Sequence, residues 1–352
     1  MNQLPELRIG DNVIPLPIIQ GGMGVGVSLS GLASAVANEG GIGVIASAGI
    51  GTFHFDWDQG TMSLMDLDRE GLRLEIRKAR SLTKGWIGVN IMAALNDFSS
   101  LLRVALEEGA DFIFIGAGLP FWDTNEIPLE VIHRTKTKLV PIVSSAKAAR
   151  LIFQYWDKKY GRVPDALVLE GPKAGGHLGF SLRQINNPDY QLENLIPQLV
   201  EQVKELETDY ARQIPIIAGG GIFTGGDIRK ALEMGVQGVQ MSTRFVGTFE
   251  CDASNRFKEA YLECQPEDIT IINSGTSVAQ SVHYRCGKRF EEAFRMSLSL
   301  LEHLRLRQRA LLYRDGLNER PKRDLGRGVR LLRRECLPRE KDRVGQGACP
   351  NN

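Results

Sequence analysis

A single histidine in a glycine-rich loop, His177, is the side chain of this sequence best suited to exchange a proton with a ligand. The loop reads Glu-Gly-Pro-Lys-Ala-Gly-Gly-His-Leu-Gly-Phe over residues 170–180, and an apolar run typical of a buried strand precedes it. Glycine lets the backbone approach a ligand closely, and histidine titrates near neutral pH. We therefore predict that Gly175 and Gly176 lie beside a bound ligand and that His177 is catalytic.

Two later segments together predict a phosphate site. Gly219, Gly220 and Gly221 follow one apolar run, and Met241-Ser242-Thr243 ends the next. Consecutive glycines expose several backbone N–H groups, and the two hydroxyl groups add further donors. In parallel α/β proteins such donors often hold a phosphate beside a helix N-terminus.

Other strand ends carry weaker signals. The turn Gly22-Met23-Gly24 lacks the spacing of a dinucleotide fingerprint, and a tight turn would also explain its glycines. Asn90 is an isolated amide inside an apolar run. Either neighbouring backbone or the edge of a ligand ring must pair with it, since an unpaired buried amide costs about 1–3 kcal/mol. Ser145 could reach a ligand, although capping of the next helix explains it as well. Glu170, at the start of the histidine loop, completes the predicted cofactor-binding set.

The sequence contains none of the common metal-binding or nucleophile motifs. There is no HExxH, no paired acidic motif and no serine-centred nucleophile elbow, and the five cysteines form no CxxC pair. We therefore predict no metal, and a cofactor must supply the difficult chemistry. One phosphate site, backbone-rich walls and an amide that can read a ring edge suit FMN better than a dinucleotide.

The elements that position these residues alternate between short apolar runs and longer amphipathic segments. The predicted strands are Pro17–Met23, Gly41–Ala46, Trp86–Met92, Phe112–Gly118, Leu139–Ser145, Ala166–Gly171, Ile214–Gly220 and Gly238–Phe245. Their unbroken apolar cores suit strands buried on both faces of a parallel sheet. The predicted helices are Ser28–Asn38, Leu67–Ser81, Leu101–Glu108, Ala146–Trp156, Glu193–Leu206 and Asp227–Met234.

Eight such strand–helix units in roughly 250 residues predict a (β/α)₈ TIM barrel. A doubly wound open sheet is the alternative, because it is also a parallel α/β fold. The glycine-rich strand ends favour the barrel. Two long connections, Gly49–Asp66 and Leu178–Gln191, would lie on the rim as lids, as pocket walls or as plain surface loops.

The distribution of charge predicts a boundary late in the chain. The 352 residues carry a net charge of +1, which argues against nucleic-acid or membrane partners. Residues 285–352, however, hold 18 Lys+Arg against 9 Asp+Glu. We predict a barrel domain over 1–272 and a basic, Arg-rich, partly helical and partly disordered extension over 273–352. The extension is either a solvated tail or a divergent, frame-altered C-terminus. We see no signal peptide and no apolar run of membrane length, which predicts a cytoplasmic protein.

The ordered motifs PIIQGGMG, EGPKAGGHLGF, IIAGGGI and GVQMSTRF, with Asn90 after the first, resemble those of the FMN-dependent nitronate monooxygenases. The resemblance covers roughly residues 8–272 and extends to the flavin-dependent enoyl-acyl carrier protein reductases. It implies an FMN-bearing barrel in which His177 is the catalytic histidine. Two features depart from the family pattern. Lys173, after Pro172, stands where an acidic residue is common, and Asn273–Arg285 lacks the usual Pro/Gly-rich segment.

The resemblance implies a flavoprotein monooxygenase that oxidises alkyl nitronates with O₂ to a carbonyl compound and nitrite. His177 would bind the nitronate oxygens or act as a base. One alternative is an NAD(P)H-dependent flavin reductase that acts on an enoyl thioester or a quinone. Another is a flavin-free phosphate-binding barrel, such as an isomerase. The expected partners are a small-molecule substrate and O₂, and a homo-oligomer is compatible with the sequence.

Overall fold

A computed structural model describes residues 4–55 and 62–265, and it describes the backbone alone of residues 269–273 and 280–284. Most of the predicted C-terminal extension therefore lies outside the described residues. The same is true of residues 56–61 in the Gly49–Asp66 connection. Within the described part, no helix is both long and apolar enough to cross a membrane.

The described chain alternates strands and helices as the sequence predicts. The strands are β1 (Leu7–Ile9), β2 (Asn12–Ile14), β3 (Ile18–Gln20), β4 (Ile42–Ala46), β5 (Trp86–Met92), β6 (Phe112–Gly116), β7 (Lys138–Val143), β8 (Leu167–Glu170), β9 (Gly176–Leu178), β10 (Ile216–Gly219), β11 (Gly238–Met241), β12 (Ile269–Asn273) and β13 (Gln280–Tyr284). The helices are α1 (Ser30–Asn38), α2 (Leu64–Leu82), α3 (Phe98–Glu107), α4 (Leu129–Arg134), α5 (Ala146–Tyr160), α6 (Leu182–Ile185), α7 (Leu192–Tyr210), α8 (Gly225–Glu233), α9 (Thr243–Val246) and α10 (Asn255–Leu262). Short 3₁₀ turns occupy Ile50–Phe53 and Pro188–Tyr190.

Eight of these strands close into a parallel barrel in the order β10-β11-β3-β4-β5-β6-β7-β8. The pairing of β8 with β10 closes the ring, so the (β/α)₈ prediction is confirmed and the open-sheet alternative is wrong. Several predicted bounds of strands and helices are wrong by a few residues, and the largest difference among the strands is at the end of β11. The last barrel strand ends at Met241, not at Phe245, because Ser242 leaves the extended conformation and α9 begins at Thr243.

A packed apolar core fills the lower interior of the barrel. Its inward-facing residues come from most of the strands and include Ile19, Val44, Phe112, Phe114, Val140, Val168 and Ile217, all of them fully or almost fully buried. The β1–β2 hairpin adds Leu7 and Ile9 to this core, and the Trp86 indole Nε1 donates to the Val13 carbonyl oxygen at 3.0 Å. The hairpin thus closes the amino end of the barrel, which leaves the carboxyl end for a ligand.

A second, antiparallel sheet holds the histidine loop. In this sheet β13 pairs with β12 on one side and with β9 on the other. The register places Ser281 opposite His177 and Val282 opposite Gly176. Backbone from beyond residue 279 therefore lies beside the histidine. The predicted boundary after residue 272 falls at the end of β12, whose last residue is Asn273.

Candidate active site

Three neighbouring barrel strands, β8, β10 and β11, place a glycine between two polar residues. The register pairs Gly219 with Glu170 on one side and with Gln240 on the other. Side chains two residues apart on a strand point to the same face. Each of these three positions lies two residues after an inward-facing position of its own strand, such as Val168 in β8, so all three face the interior of the barrel. Because Gly219 has no side chain, it leaves a notch between a carboxyl group and an amide.

Several polar side chains at the carboxyl end of the barrel have no partner within the described part of the protein. The carboxyl group of Glu170, the imidazole of His177 and the amide of Gln240 form no hydrogen bond to another described residue. Asn90 differs, since its Nδ2 donates to the Phe114 carbonyl oxygen at 3.3 Å. Polar side chains in partly buried positions are normally paired, so this cluster is typical of a ligand-binding site.

Burial keeps both titratable groups of this cluster neutral. It raises the pKa of Glu170 from 4.5 to about 8, because the charged carboxylate loses its hydration. The same loss of hydration lowers the pKa of His177 below its usual value of 6.5. At pH 7 the site therefore contains a carboxylic acid that can donate a hydrogen bond and an imidazole that can accept a proton.

The glycines before His177 border open space. A Cβ atom on Gly175 or Gly176 would meet no atom within 4 Å, and Gly176 has a φ of 81°. Gly22 is different, because a Cβ atom there would clash with the Asn90 side chain. Packing within the barrel thus explains Gly22, whereas nothing in the described protein fills the space beside Gly175.

The triple glycine offers unused backbone donors. Gly220 and Gly221 have φ values of 97° and 79°, and no described residue accepts a hydrogen bond from their N–H groups. The donors at the start of α8 are already engaged, since Asp227 Oδ2 accepts from the N–H groups of Phe223 and Thr224 at 3.1 and 2.7 Å. The concave turn at Gly220 and Gly221 is therefore the free anion site of this loop.

The helix N-terminus after the first barrel strand is, by contrast, blocked. Glu75 Oε2 accepts from the Ser30 N–H at 2.6 Å, and Asp252 Oδ2 accepts from the Leu29 and Leu32 N–H groups at 2.8 and 3.0 Å. Two carboxyl groups thus use the donors that a phosphate would need. Burial raises the pKa of Glu75, but hydrogen bonds from His54 and Ser30 outweigh burial and lower that pKa to about 2.

The first glycine turn is held from within. The Met23 N–H donates to Ser28 Oγ at 2.8 Å, and a Cβ atom on Gly24 would lie 3.3 Å from the Ala48 Cβ. Val25, a β-branched residue, has a φ of 58°, which is strained for such a side chain. These contacts fix the turn against β4 and leave it facing the carboxyl end of the barrel.

The structure gives individual roles to the remaining candidates. Ser145 caps α5, since its Oγ accepts from the Ala148 N–H at 3.2 Å. Its neighbour Ser144 donates to the Gly179 carbonyl oxygen at 3.3 Å and so reaches the histidine loop. Ser242 lies against Gly21, where a Cβ atom would clash with the serine Oγ. His54 lies with its Nε2 2.9 Å from Glu75 Oε1, in the network at the start of α1.

Sequence reasoning missed two glutamines. Gln240 lines the notch, and Gln20 joins β3 to β4, because its Oε1 accepts from the Val44 N–H at 2.9 Å and its Nε2 donates to the Gly21 carbonyl oxygen at 2.6 Å. Both are isolated amides in apolar strands, the signal that singled out Asn90. Applied evenly, that signal would have found them.

The raised pKa of Glu170 predicts a pH-dependent effect of Glu170→Gln on the stability of the ligand-free protein. The folded state binds the Glu170 proton more tightly than the unfolded state, so the wild type loses stability as pH rises from about 4.5 to about 8. Glutamine does not titrate. The two proteins should melt together near pH 5, and the variant should melt about 3 °C or more above wild type at pH 8.5.

Glu193→Gln is the matched control for this prediction. Its hydrogen bond with Lys230, at 2.8 Å, lowers the pKa of Glu193, so the variant should melt slightly below wild type above pH 5. A melting difference for Glu170→Gln that does not change with pH would contradict a raised pKa.

The sequence is similar to those of known proteins. The sequence profile of the nitronate monooxygenase family matches residues 7–302. A probable nitronate monooxygenase of Staphylococcus aureus (strain Newman) is 28% identical over 274 residues, which cover 74% of this chain and 73% of the relative.

Two solved structures share the barrel. FabK from Thermotoga maritima has a TM-score of 0.58 and 28% identity and covers 82% of this chain and 78% of its own. Nitroalkane oxidase from Streptomyces ansochromogenes has a TM-score of 0.58 and 24% identity, with 77% of each chain covered, which supports the fold alone. The barrel, the position of His177 at its carboxyl end and the match over residues 7–302 together show that this chain belongs to the nitronate monooxygenase family of flavin-dependent oxidoreductases.

Proposed function

We propose that the protein oxidises alkyl nitronates with O₂, using FMN, to a carbonyl compound and nitrite. The observation that carries the proposal is the set of unpaired, neutral polar groups at the carboxyl end of the barrel. Glu170, His177 and Gln240 form no hydrogen bond to another described residue, and Gly175 and Gly176 border open space beside them. A flat, polar-edged ligand fits this arrangement.

The donor sets favour a mononucleotide over a dinucleotide. The free N–H groups of Gly220 and Gly221, with Ser242 and Thr243 nearby in the barrel, can hold one phosphate. The start of α1, where a second phosphate could otherwise bind, is taken by Glu75 and Asp252. FMN has a single phosphate, and its ring edge matches the amides of Asn90 and Gln240.

The protein groups would act on the substrate through hydrogen bonds. When bound, FMN would supply the redox chemistry that couples oxidation of the nitronate to reduction of O₂. His177, neutral because of burial, donates a hydrogen bond from its protonated ring nitrogen to a nitronate oxygen. The other ring nitrogen can take a proton from a neutral nitroalkane. The pairing of β9 with β13 fixes the backbone of His177 during these steps.

The second candidate is a flavin reductase that takes electrons from NAD(P)H. The resemblance of the sequence motifs to the flavin-dependent enoyl-acyl carrier protein reductases supports it, and FabK from Thermotoga maritima is as identical in sequence to this chain, at 28%, as the nitronate monooxygenase relative. Glu170 bears on the choice, because a neutral carboxylic acid does not repel an anionic nitronate as a carboxylate would.

Anaerobic mixing separates the two candidates. The flavin-loaded protein is mixed in one experiment with propyl-2-nitronate and in another with NADPH or NADH. The absorbance of oxidised flavin, at roughly 450 nm, is followed in both. We expect the nitronate to bleach the flavin and the nicotinamides to leave it oxidised. Rapid bleaching by NAD(P)H would replace our proposal with the reductase. A purified protein that neither contains nor takes up FMN would exclude both.

His177→Asn tests the proposed role of the imidazole. The variant should retain bound flavin, because His177 forms no hydrogen bond within the described protein, while turnover of the nitronate should fall by about 10²–10⁴. His133→Asn is the control. This histidine is exposed on α4, with Nε2 2.6 Å from the Tyr160 carbonyl oxygen, and its loss should leave turnover unchanged. Full activity of His177→Asn would show that another group binds the nitronate.

Gly175→Ala tests whether the open space beside the histidine loop holds the flavin. The added methyl group meets no atom of the described residues within 4 Å, so the ligand-free variant should melt within about 2 °C of wild type. Its affinity for FMN, measured by quenching of flavin fluorescence, should fall by about tenfold or more, because the methyl group would occupy ligand space. Gly226→Ala, at an open position in α8, is the control and should leave FMN affinity unchanged. Unchanged FMN binding in Gly175→Ala would place the flavin elsewhere.

A further inference from the structure

The loop between β8 and β9 lies directly on the triple glycine. The Gly171 N–H donates to the Gly219 carbonyl oxygen at 2.9 Å. A Cβ atom on Gly220 would lie 3.0 Å from both the Gly171 carbonyl oxygen and the Ala174 nitrogen. The two loops therefore touch through backbone atoms, which fixes what the first one presents to the second.

This loop is a β-turn that projects one cation. The Ala174 N–H donates to the Gly171 carbonyl oxygen at 3.1 Å, so Pro172 and Lys173 are the two central residues of the turn. Proline is favoured at the first central position because its ring fixes φ near −65°. Pro172 is buried and Lys173 is exposed. The turn is thus rigid on the inside and charged on the outside.

The side chain of Lys173 lies across Gly221. Its Cβ, Cγ and Cδ atoms would be 3.1, 3.7 and 3.0 Å from a Cβ atom placed on Gly221. The ammonium group is two bonds beyond Cδ, which lets it reach an anion bound at the N–H groups of the glycine turn. No described residue forms a hydrogen bond or an ion pair with it.

The charged groups near this lysine leave its charge available. Glu193 feels the charge of Lys173, but Glu193 Oε1 already pairs with Lys230 at 2.8 Å. Asp227 is engaged in capping α8. The ammonium group of Lys173 and the unpaired N–H groups of the glycine turn together offer donors and a positive charge, while Glu193 and Asp227 already have other partners. Such a set of groups can bind an anion.

We propose that Lys173 binds the phosphate of FMN and that Pro172 holds it in place. The inference rests on the proposed function, since it requires a phosphate on the triple glycine. It gives a purpose to both central residues of the turn, since Pro172 would orient the turn and Lys173 would add a charge that helps to hold the cofactor.

The test measures the affinity of the full-length apoprotein for FMN and for riboflavin, which lacks the phosphate. Lys173→Met keeps most of the stem and removes the charge. We expect it to weaken FMN binding by about tenfold or more and to change riboflavin binding by less than about twofold. Lys158→Met, which removes an exposed lysine in the last turn of α5, is the control for net charge and should change neither affinity.

A charge series gives an independent readout that does not require riboflavin to bind measurably. FMN affinity should follow the order wild type and Lys173→Arg, then Lys173→Met, then Lys173→Glu, with differences that shrink at high salt. Equal FMN affinity across the series, or an equal loss of FMN and riboflavin binding in Lys173→Met, would overturn the role of Lys173 and leave the proposed function standing. A wild type that binds neither flavin would overturn both.

Discussion

The closure of eight strands around a packed interior is the constraint on which the rest of this structure depends. The side chains of Phe112, Phe114 and Val168 fill the lower barrel, and the β1–β2 hairpin covers its amino end. No polar side chain can be hydrated there. Lys138 is a polar inward position at the amino end, where it pairs with Asp11, whereas Asn90, Glu170 and Gln240 lie toward the carboxyl end.

Burial at the carboxyl end also determines the charge state of the site. A carboxyl group and an imidazole that form no hydrogen bond to other described residues are both driven to their neutral forms. A neutral site does not repel an anionic substrate, and it does not bind one through bulk charge either. A formal charge is found instead on the rim of the barrel, where Lys173 lies over the triple glycine. The proposed anion site is therefore separate from the neutral groups that would face the flavin ring.

Much of the fold could be predicted from the sequence, because most barrel strands are apolar runs followed by a glycine or a polar residue. The strand ends were less predictable. The run GVQMSTRF is uniformly compatible with a strand, and only the backbone turn at Ser242 shows that it divides into β11 and α9. The isolated amide of Gln240 is visible in the sequence, but its inward direction depends on the register with Gly219.

Tertiary contacts account for the features that the sequence could not reveal. The donors at the start of α1 are satisfied by Glu75 and Asp252, which lie 45 and 220–223 residues away in the chain. No local sequence pattern predicts a cap supplied from so far along the chain. The β-turn at Pro172 differs, because its residues are adjacent in the sequence and the turn can be predicted from them. Its contact with the triple glycine cannot, because those glycines lie far along the chain.

The pairing of β9 with β13 has a consequence for biosynthesis. The backbone of His177 is hydrogen-bonded to a strand that leaves the ribosome about a hundred residues later. The barrel wall formed by β3 to β8 can assemble while the nascent chain is still being extended, but the histidine has no neighbour on that side until Gln280–Tyr284 has emerged. The antiparallel sheet that holds the histidine loop is therefore completed only after all eight barrel strands have been synthesised.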